Sequence, residues 1–136
     1  MRNDYNRDYT IDEIGETLSI IKTCVSNGNY TVSLNENRLE NIDFINTYNL
    51  TPAKRKRILL SLEVEDFCYS LNNLKSGFED EILYIFAPIV TLFEADGAES
   101  LVSMYIKFNI IDSSRGDFIV VVSFHGLNYV IDYVFK

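Results

Sequence analysis

The chain has no tryptophan, two prolines, two cysteines and a single histidine among its 136 residues. One histidine excludes a histidine-rich metal centre and leaves little room for a serine–histidine–aspartate triad. Cys24 and Cys68 stand apart, in no CxxC or Cys/His spacing. That argues against a zinc site and fits a reducing cytoplasm. The longest apolar runs, such as FIVVV, fall far short of the ~20 residues of a membrane helix, so no membrane segment is expected. The polar start MRNDYNRDYT lacks the apolar stretch of a secretory signal. Positive charge is also scarce: 12 bases against 20 acids leave a net charge of −8. This balance counts against non-specific binding to nucleic acid, which relies on positive potential. No glycine-rich phosphate loop occurs.

What is present is a globular composition, 47% hydrophobic and 24% charged, and the expectation is a single domain over residues 1–136. Thr10 and Glu13 fit a capping box. Ile11, Ile14, Leu18, Ile21 and Val25 follow at helical spacing, predicting a helix over about 11–26 that stops at Asn27-Gly28-Asn29. YTVSL (30–34) reads as a short edge strand. A second helix over about 37–48 places Leu39, Ile42, Ile45 and Tyr48 on one face, and Thr51-Pro52 starts a third. After residue 80 the vocabulary turns β-branched and aromatic. EILYIFAPIVTLF, LVSMYIKFNII, DFIVVVSFH and NYVIDYVF read as strands, with turns at Asp96-Gly97 and DSSRG. Pro88 is expected at a bulge, a strand end or an edge. Helices over about 11–62 followed by antiparallel strands over about 81–135 predict an α+β fold, the N-terminal helices packed on one face of an antiparallel sheet.

The stretch SMYIKFNIIDSSRGDFIVVVSFHG (103–126) raises the functional question, because Tyr105, Lys107 and His125 interrupt its apolar pattern. Strand alternation puts Val102, Met104, Ile106, Phe108 and Ile110 on one face and Ser103, Tyr105, Lys107 and Asn109 on the other. With residues 112–116 as the loop, Ile111 faces Asp117, Phe108 faces Val120 and Ser103 faces His125. Phe118, Val120, Val122 and Phe124 then line the core. Tyr105 and His125 become diagonal neighbours at roughly 7–8 Å. A solvated sheet face explains this pattern. So does a site: imidazole moves protons near neutral pH, lysine stabilises a developing phosphate charge, and tyrosine orients it or shares in proton transfer.

The run Lys54-Arg55-Lys56-Arg57 is the only cationic cluster. It lies at a helix start, where positive charge opposes the dipole by ~0.3–1 kcal/mol, so an RNA or partner contact is considered beside a solvated face. Arg38 is a further cationic candidate. The acids at Glu63, Glu65, Asp66, Glu79, Asp80 and Glu81 form no metal-ligand spacing, and neither metal nor cofactor is expected.

The ordered set NLT…RKRILLSLEVEDF, EILYIFAP, MYIKF and VVVSFHG resembles the MqsR family of bacterial toxins over roughly residues 36–136. The aromatic tail NYVIDYVFK resembles the end of its Gram-positive members. The resemblance implies a RelE-like α+β fold and a metal-independent endoribonuclease acting on mRNA in the cytoplasm, held inactive by a cognate antitoxin. It implies Tyr105 and Lys107 in the strand that carries a catalytic tyrosine, and His125 where the best-studied branch has a catalytic lysine. His125 would transfer the proton, Lys107 stabilise charge, and Tyr105 orient the phosphate or assist as acid–base. Lys54, Arg55, Lys56, Arg57 and Arg38 would contact RNA. Two further functional polar positions of that branch correspond to Tyr69 and Leu83 here, a departure that also suits a non-catalytic protein which keeps the fold and binds a partner through its acidic surface.

Overall fold

The computed structural model describes residues 5–73, 75–113 and 115–136. The first residues of the polar N-terminus (1–4) and Ser114 of the anticipated turn lie outside them. Helix α1 spans Ile11–Ser26. Its capping box forms as the sequence predicts: Thr10 Oγ1 accepts from the Glu13 amide at 3.2 Å, and the Glu13 carboxylate accepts from the Thr10 amide at 2.8 Å. Such caps contribute about 1 kcal/mol. A short 3-10 turn, Glu36–Arg38, leads into α2, Leu39–Thr47. Asn49, in the left-handed region at φ 48°, ends that helix. Helix α3, Pro52–Leu60, starts from a Thr51 side chain that accepts from the Lys54 amide at 3.3 Å.

Six strands follow or interleave: β1 Tyr30–Val32, β2 Phe67–Asn72, β3 Ile82–Phe86, β4 Ile89–Phe93, β5 Glu99–Ser113 and β6 Gly116–Gly126. Their order is β1-β6-β5-β3-β2, with β4 on the near end of β5. The α+β class is as expected, but the sheet is mixed rather than antiparallel, because β1 runs parallel to β6 at the edge. Pro88 ends a strand: it divides EILYIFAPIVTLF into β3 and β4, which pair with different stretches of β5. Strand β2 was not foreseen. The tail NYVIDYVF, expected as a strand, has no regular structure.

The helices cover one face of the sheet. Ile14, Leu18, Ile21, Ile58 and Leu59 pack there on Phe86, Ile106, Phe108, Val121 and Phe124. At ~1.5–3 kcal/mol for each fully buried large apolar side chain, this layer dominates stability. The other face is not left to solvent. Cys68, Tyr69, Ile85, Ala87 and Tyr105 form a second cluster, and Leu127, Ile131 and Tyr133 of the tail close over it. Tyr133 Oη donates to the Ala87 carbonyl at 2.6 Å, and the Val134 amide donates to the Phe67 carbonyl at 3.2 Å. No helix among the described residues is long and apolar enough to cross a membrane.

Candidate functional site

The β5–β6 hairpin departs from the expected register twice. Its strands run to Ser113 and Gly116 instead of stopping at a five-residue loop, so Phe108 pairs with Val121 rather than Val120. Gly116, at φ 101°, takes a backbone conformation that residues with a Cβ rarely adopt. A bulge at Val122 then shifts the pairing again, and Tyr105 lies directly opposite His125. Ile119 and Val121, assigned by alternation to the outer face, are therefore core residues, while Val120 and Val122 are only partly buried. Beyond the bulge the faces return to the predicted order, so Tyr105, Lys107, Ser123 and His125 share one surface.

Asn41, on α2, holds the bulge. Its Nδ2 donates to the Val122 carbonyl at 3.1 Å and to the Ser33 carbonyl at 2.9 Å, and its Oδ1 accepts from the Phe124 amide at 2.8 Å. The side chain is 0% exposed. The face expected for α2 is rotated accordingly: Asn41 and Ile45 point inward, whereas Leu39 is 60% exposed. The only hint in the sequence was an amide beside an apolar stripe.

At the site the Tyr105 and His125 rings stack, with centroids 5.5 Å apart and planes 16° from parallel. The Lys107 ammonium lies 5.7 Å from the Tyr105 ring centre. His125 Nδ1 is 2.8 Å from the Gly126 carbonyl. A carbonyl only accepts, so Nδ1 carries a proton, and the neutral tautomer with that bond has its lone pair at Nε2. Glu40 Oε2 stands 3.8 Å from Nδ1 and accepts from Asn128 Nδ2 at 2.9 Å. A cavity of about 220 Å³ opens beside the ring, lined by Glu36, Asn37, Arg38, Leu39, Glu40 and His125 among others.

Arg38 is near enough to Lys107 that its charge, after the larger effect of burial, lowers the ammonium's pKa. Among the described residues neither cation has a carboxylate within ion-pair distance. Two unpaired cations beside an imidazole are costly unless an anion joins them. Tyr105 is the opposite case. Burial raises its pKa strongly, so the phenol stays protonated. Its hydroxyl lies 3.5 Å from that of Tyr69, which in turn meets the Tyr129 hydroxyl at 2.9 Å. Tyr105 thus faces a tyrosine cluster at its far end and positions His125 with its ring.

The structure brings Tyr105, Lys107, His125 and Arg38 together. It does not bring the basic run to them. Arg55 Nη1 donates to the Leu50 carbonyl at 2.7 Å, and Lys56 Nζ to the Ser26 carbonyl at 3.5 Å. Arg55 is thereby tied to the loop between α2 and α3 and Lys56 to the end of α1, while Lys54 and Arg57 are exposed on α3. Cys24 and Cys68 are free and buried. Burial pushes the Cys68 thiol up to about 12, far from a reactive thiolate. Among the described residues no group of three histidine, cysteine or acidic side chains is placed to hold a metal. No family model, no curated protein and no solved structure matches this chain.

Proposed function

We propose that this chain is a metal-independent endoribonuclease that cleaves mRNA, the toxin of a bacterial toxin–antitoxin pair, with a RelE-like fold and a cognate antitoxin as its partner. One observation carries the reading: Arg38, which lines a cavity with His125, acts on Lys107, which lies by the Tyr105 ring stacked on that histidine, and neither cation has a counter-charge among the described residues. The residue types match what phosphodiester cleavage requires. His125 Nε2 takes the proton of the ribose 2′-hydroxyl as its oxygen bonds to phosphorus. Arg38, which stays charged throughout, neutralises the phosphorane. Lys107 also faces that charge. Its proton, loosened by burial and by Arg38, passes to the 5′-oxygen as the P–O5′ bond breaks. The products are a 2′,3′-cyclic phosphate and a free 5′-hydroxyl. Tyr105 holds the imidazole plane.

The test is incubation of the purified protein with a defined mRNA in the presence of a chelator, beside His125→Ala, with the new RNA ends mapped. Discrete cuts ending in cyclic phosphate, slowed about 10²–10⁴-fold in the variant, are expected for loss of a general base. Equal cutting by both proteins, or intact RNA even with ribosomes present, refutes the proposal. A non-catalytic partner-binding protein is the second reading. It is favoured by one specific feature: Tyr105 is only 9% exposed, with the tail packed on its cluster.

A further inference from the structure

Among the described residues three strands, β1, β2 and β4, pair with a strand on one side only, and the first two are guarded. Strand β1 is three residues long, and the outer edge of β2 is met by Asn6, whose amide donates to the Ser70 carbonyl at 2.8 Å and whose carbonyl accepts from the Ser70 amide at 2.9 Å. The third edge is β4, Ile89–Phe93, with the sequence IVTLF. Among the described residues it has no charge, no bulge and no covering segment, the devices that normally keep an edge from pairing. Its pairing with β5 fixes which backbone groups are spare. Pro88 accepts from the Met104 amide at 2.9 Å, and Glu94 donates to the Ala98 carbonyl at 2.9 Å. In an antiparallel ladder bonded positions alternate, so Val90 and Leu92 bond to β5. Ile89, Thr91 and Phe93 point their N–H and C=O groups outward. Ile89 and Phe93 are also 55% and 57% exposed.

Beside this edge runs a groove of about 160 Å³, floored by Tyr48, Leu50, Ile58 and Leu92 and rimmed by Lys54 and Arg57. These two cations lie three residues apart on one face of α3. They are the more exposed half of the basic run: Arg55 and Lys56 are half-buried and bonded to the carbonyls of Leu50 and Ser26, whereas Lys54 and Arg57 are exposed. Among the described residues Lys54 Nζ reaches only the Asn49 carbonyl, at 3.4 Å. The Arg57 guanidinium makes no hydrogen bond or ion pair among the described residues. Spare backbone donors and acceptors, an apolar floor and two positive rim charges together define what fits.

We propose that β4 and this groove dock an extended acidic segment of a partner protein, which adds to the sheet as a strand. Its backbone pairs with Ile89, Thr91 and Phe93, alternate apolar side chains enter the groove, and its carboxylates meet Lys54 and Arg57. The charges select this occupant over a second copy of the chain, whose net charge of −8 opposes self-association. The assignment does not rest on the ribonuclease reading.

The probe is a synthetic ten-residue peptide of alternating valine and glutamate, titrated into isotope-labelled protein while the backbone amides are followed by NMR. The comparisons are the same peptide with lysine for glutamate and a single-stranded RNA ten-mer. Saturable shifts centred on Ile89, Thr91 and Phe93 are expected with the acidic peptide only. Thr91→Pro removes an outward N–H that β5 does not use, a change an edge strand tolerates, and it should abolish the response with the fold intact. Lys54→Glu with Arg57→Glu should weaken it about tenfold or more. The proposal is overturned by any of four results. These are no response at millimolar peptide, an equal response to the lysine peptide, a response of these amides to the RNA instead, or their shifting on dilution of the protein alone together with a dimer in sedimentation.

Discussion

Replacing Asn41 should do more damage than any surface residue of α2, because one side chain serves three backbone groups at the point where β6 leaves register. In Asn41→Leu the volume is nearly kept, so the loss is polar. The Ser33 and Val122 carbonyls and the Phe124 amide lose their partner in a fully buried position. A buried polar group left unsatisfied costs about 1–3 kcal/mol, and partial relaxation of the bulge brings the three together to roughly 4 kcal/mol. Urea unfolding of the variant should show that loss at an unchanged slope. The bulge also sets the pairing of Tyr105 with His125, so the His125 ring protons, shifted in the native protein by a tyrosine stacked at 5.5 Å, should move toward unstacked values. Asn41→Asp keeps the acceptor for Phe124 but turns a carboxylate toward two carbonyls. Its pKa in the folded state is then raised, so its stability should be greatest when protonated and fall as pH climbs through the carboxyl range. A loss below about 1 kcal/mol in Asn41→Leu, with the His125 signals unmoved, would refute the assignment of Asn41 as the holder of the bulge.

Three further outcomes follow from the same geometry. Lys107→Met removes a half-buried cation with no counter-charge and should stabilise the protein by about 1 kcal/mol at pH 7 while abolishing RNA cleavage. Because the lysine's pKa is lowered by burial and by Arg38, the unfolded chain binds more protons between the folded value and 10.5. Wild-type stability therefore rises with pH in that window relative to the variant, and the gap measured by urea unfolding should shrink toward pH 10.5. Tyr105→Phe keeps the ring on His125 and loses only a long hydroxyl contact of 3.5 Å. Cleavage should stay within a few-fold of wild type, and a drop beyond about 100-fold would assign the hydroxyl to the chemistry. Tyr133→Phe breaks the 2.6 Å bond to the Ala87 carbonyl. It should cost about 1 kcal/mol and speed hydrogen exchange at Leu127 and Val134, whose amides bond to Ser103 and Phe67.

The helices were legible because their signals are local. A capping box starts α1, and Thr51-Pro52 starts α3, each within a few residues. The strands that were misread lack the alternation from which a face is inferred. FCYS in β2 is buried on both sides and bulged at Cys68, so Phe67 joins the helix-side core while Tyr69 joins the other. IVVV in β6 is apolar at every position, and nothing in it marks Val122 as the residue that drops out of register. The tail carries the β-branched and aromatic residues of a strand, yet it divides them between layers. Phe135 stacks near Phe67 in the helix-side core, and Ile131 and Tyr133 lie in the second cluster. For the site, period-2 alternation sufficed to put Tyr105, Lys107 and His125 on one surface, because the two register shifts leave that grouping intact. The approach of Arg38 to Lys107 depends on where α2 docks on β6, and Asn41 sets that docking by a long-range contact no spacing reveals.

The charge distribution turns this placement into a measurable number. A chain of net charge −8 repels a polyanion everywhere except where cations are concentrated. If RNA meets only Arg38 and Lys107, about two phosphates are neutralised. For single strands each contributes roughly 0.7 to the slope of log affinity against log salt, so the slope should be near −1.4. If the run Lys54 to Arg57 also grips RNA, about six cations take part and the slope steepens toward −4. The structure favours the smaller value, since Arg55 and Lys56 are bonded to the carbonyls of Leu50 and Ser26 and all four lie on α3, which packs against the sheet's helix-covered side. Binding of a short RNA to His125→Ala, measured between 50 and 300 mM salt, separates the two cases without cleavage interfering. A slope near −4 that falls when Lys54 and Arg57 are replaced would place RNA on α3. A shallow slope that vanishes in Arg38→Gln with Lys107→Met would confine it to the histidine pocket, where a weakly held, short contact is what a chain of net charge −8 can sustain.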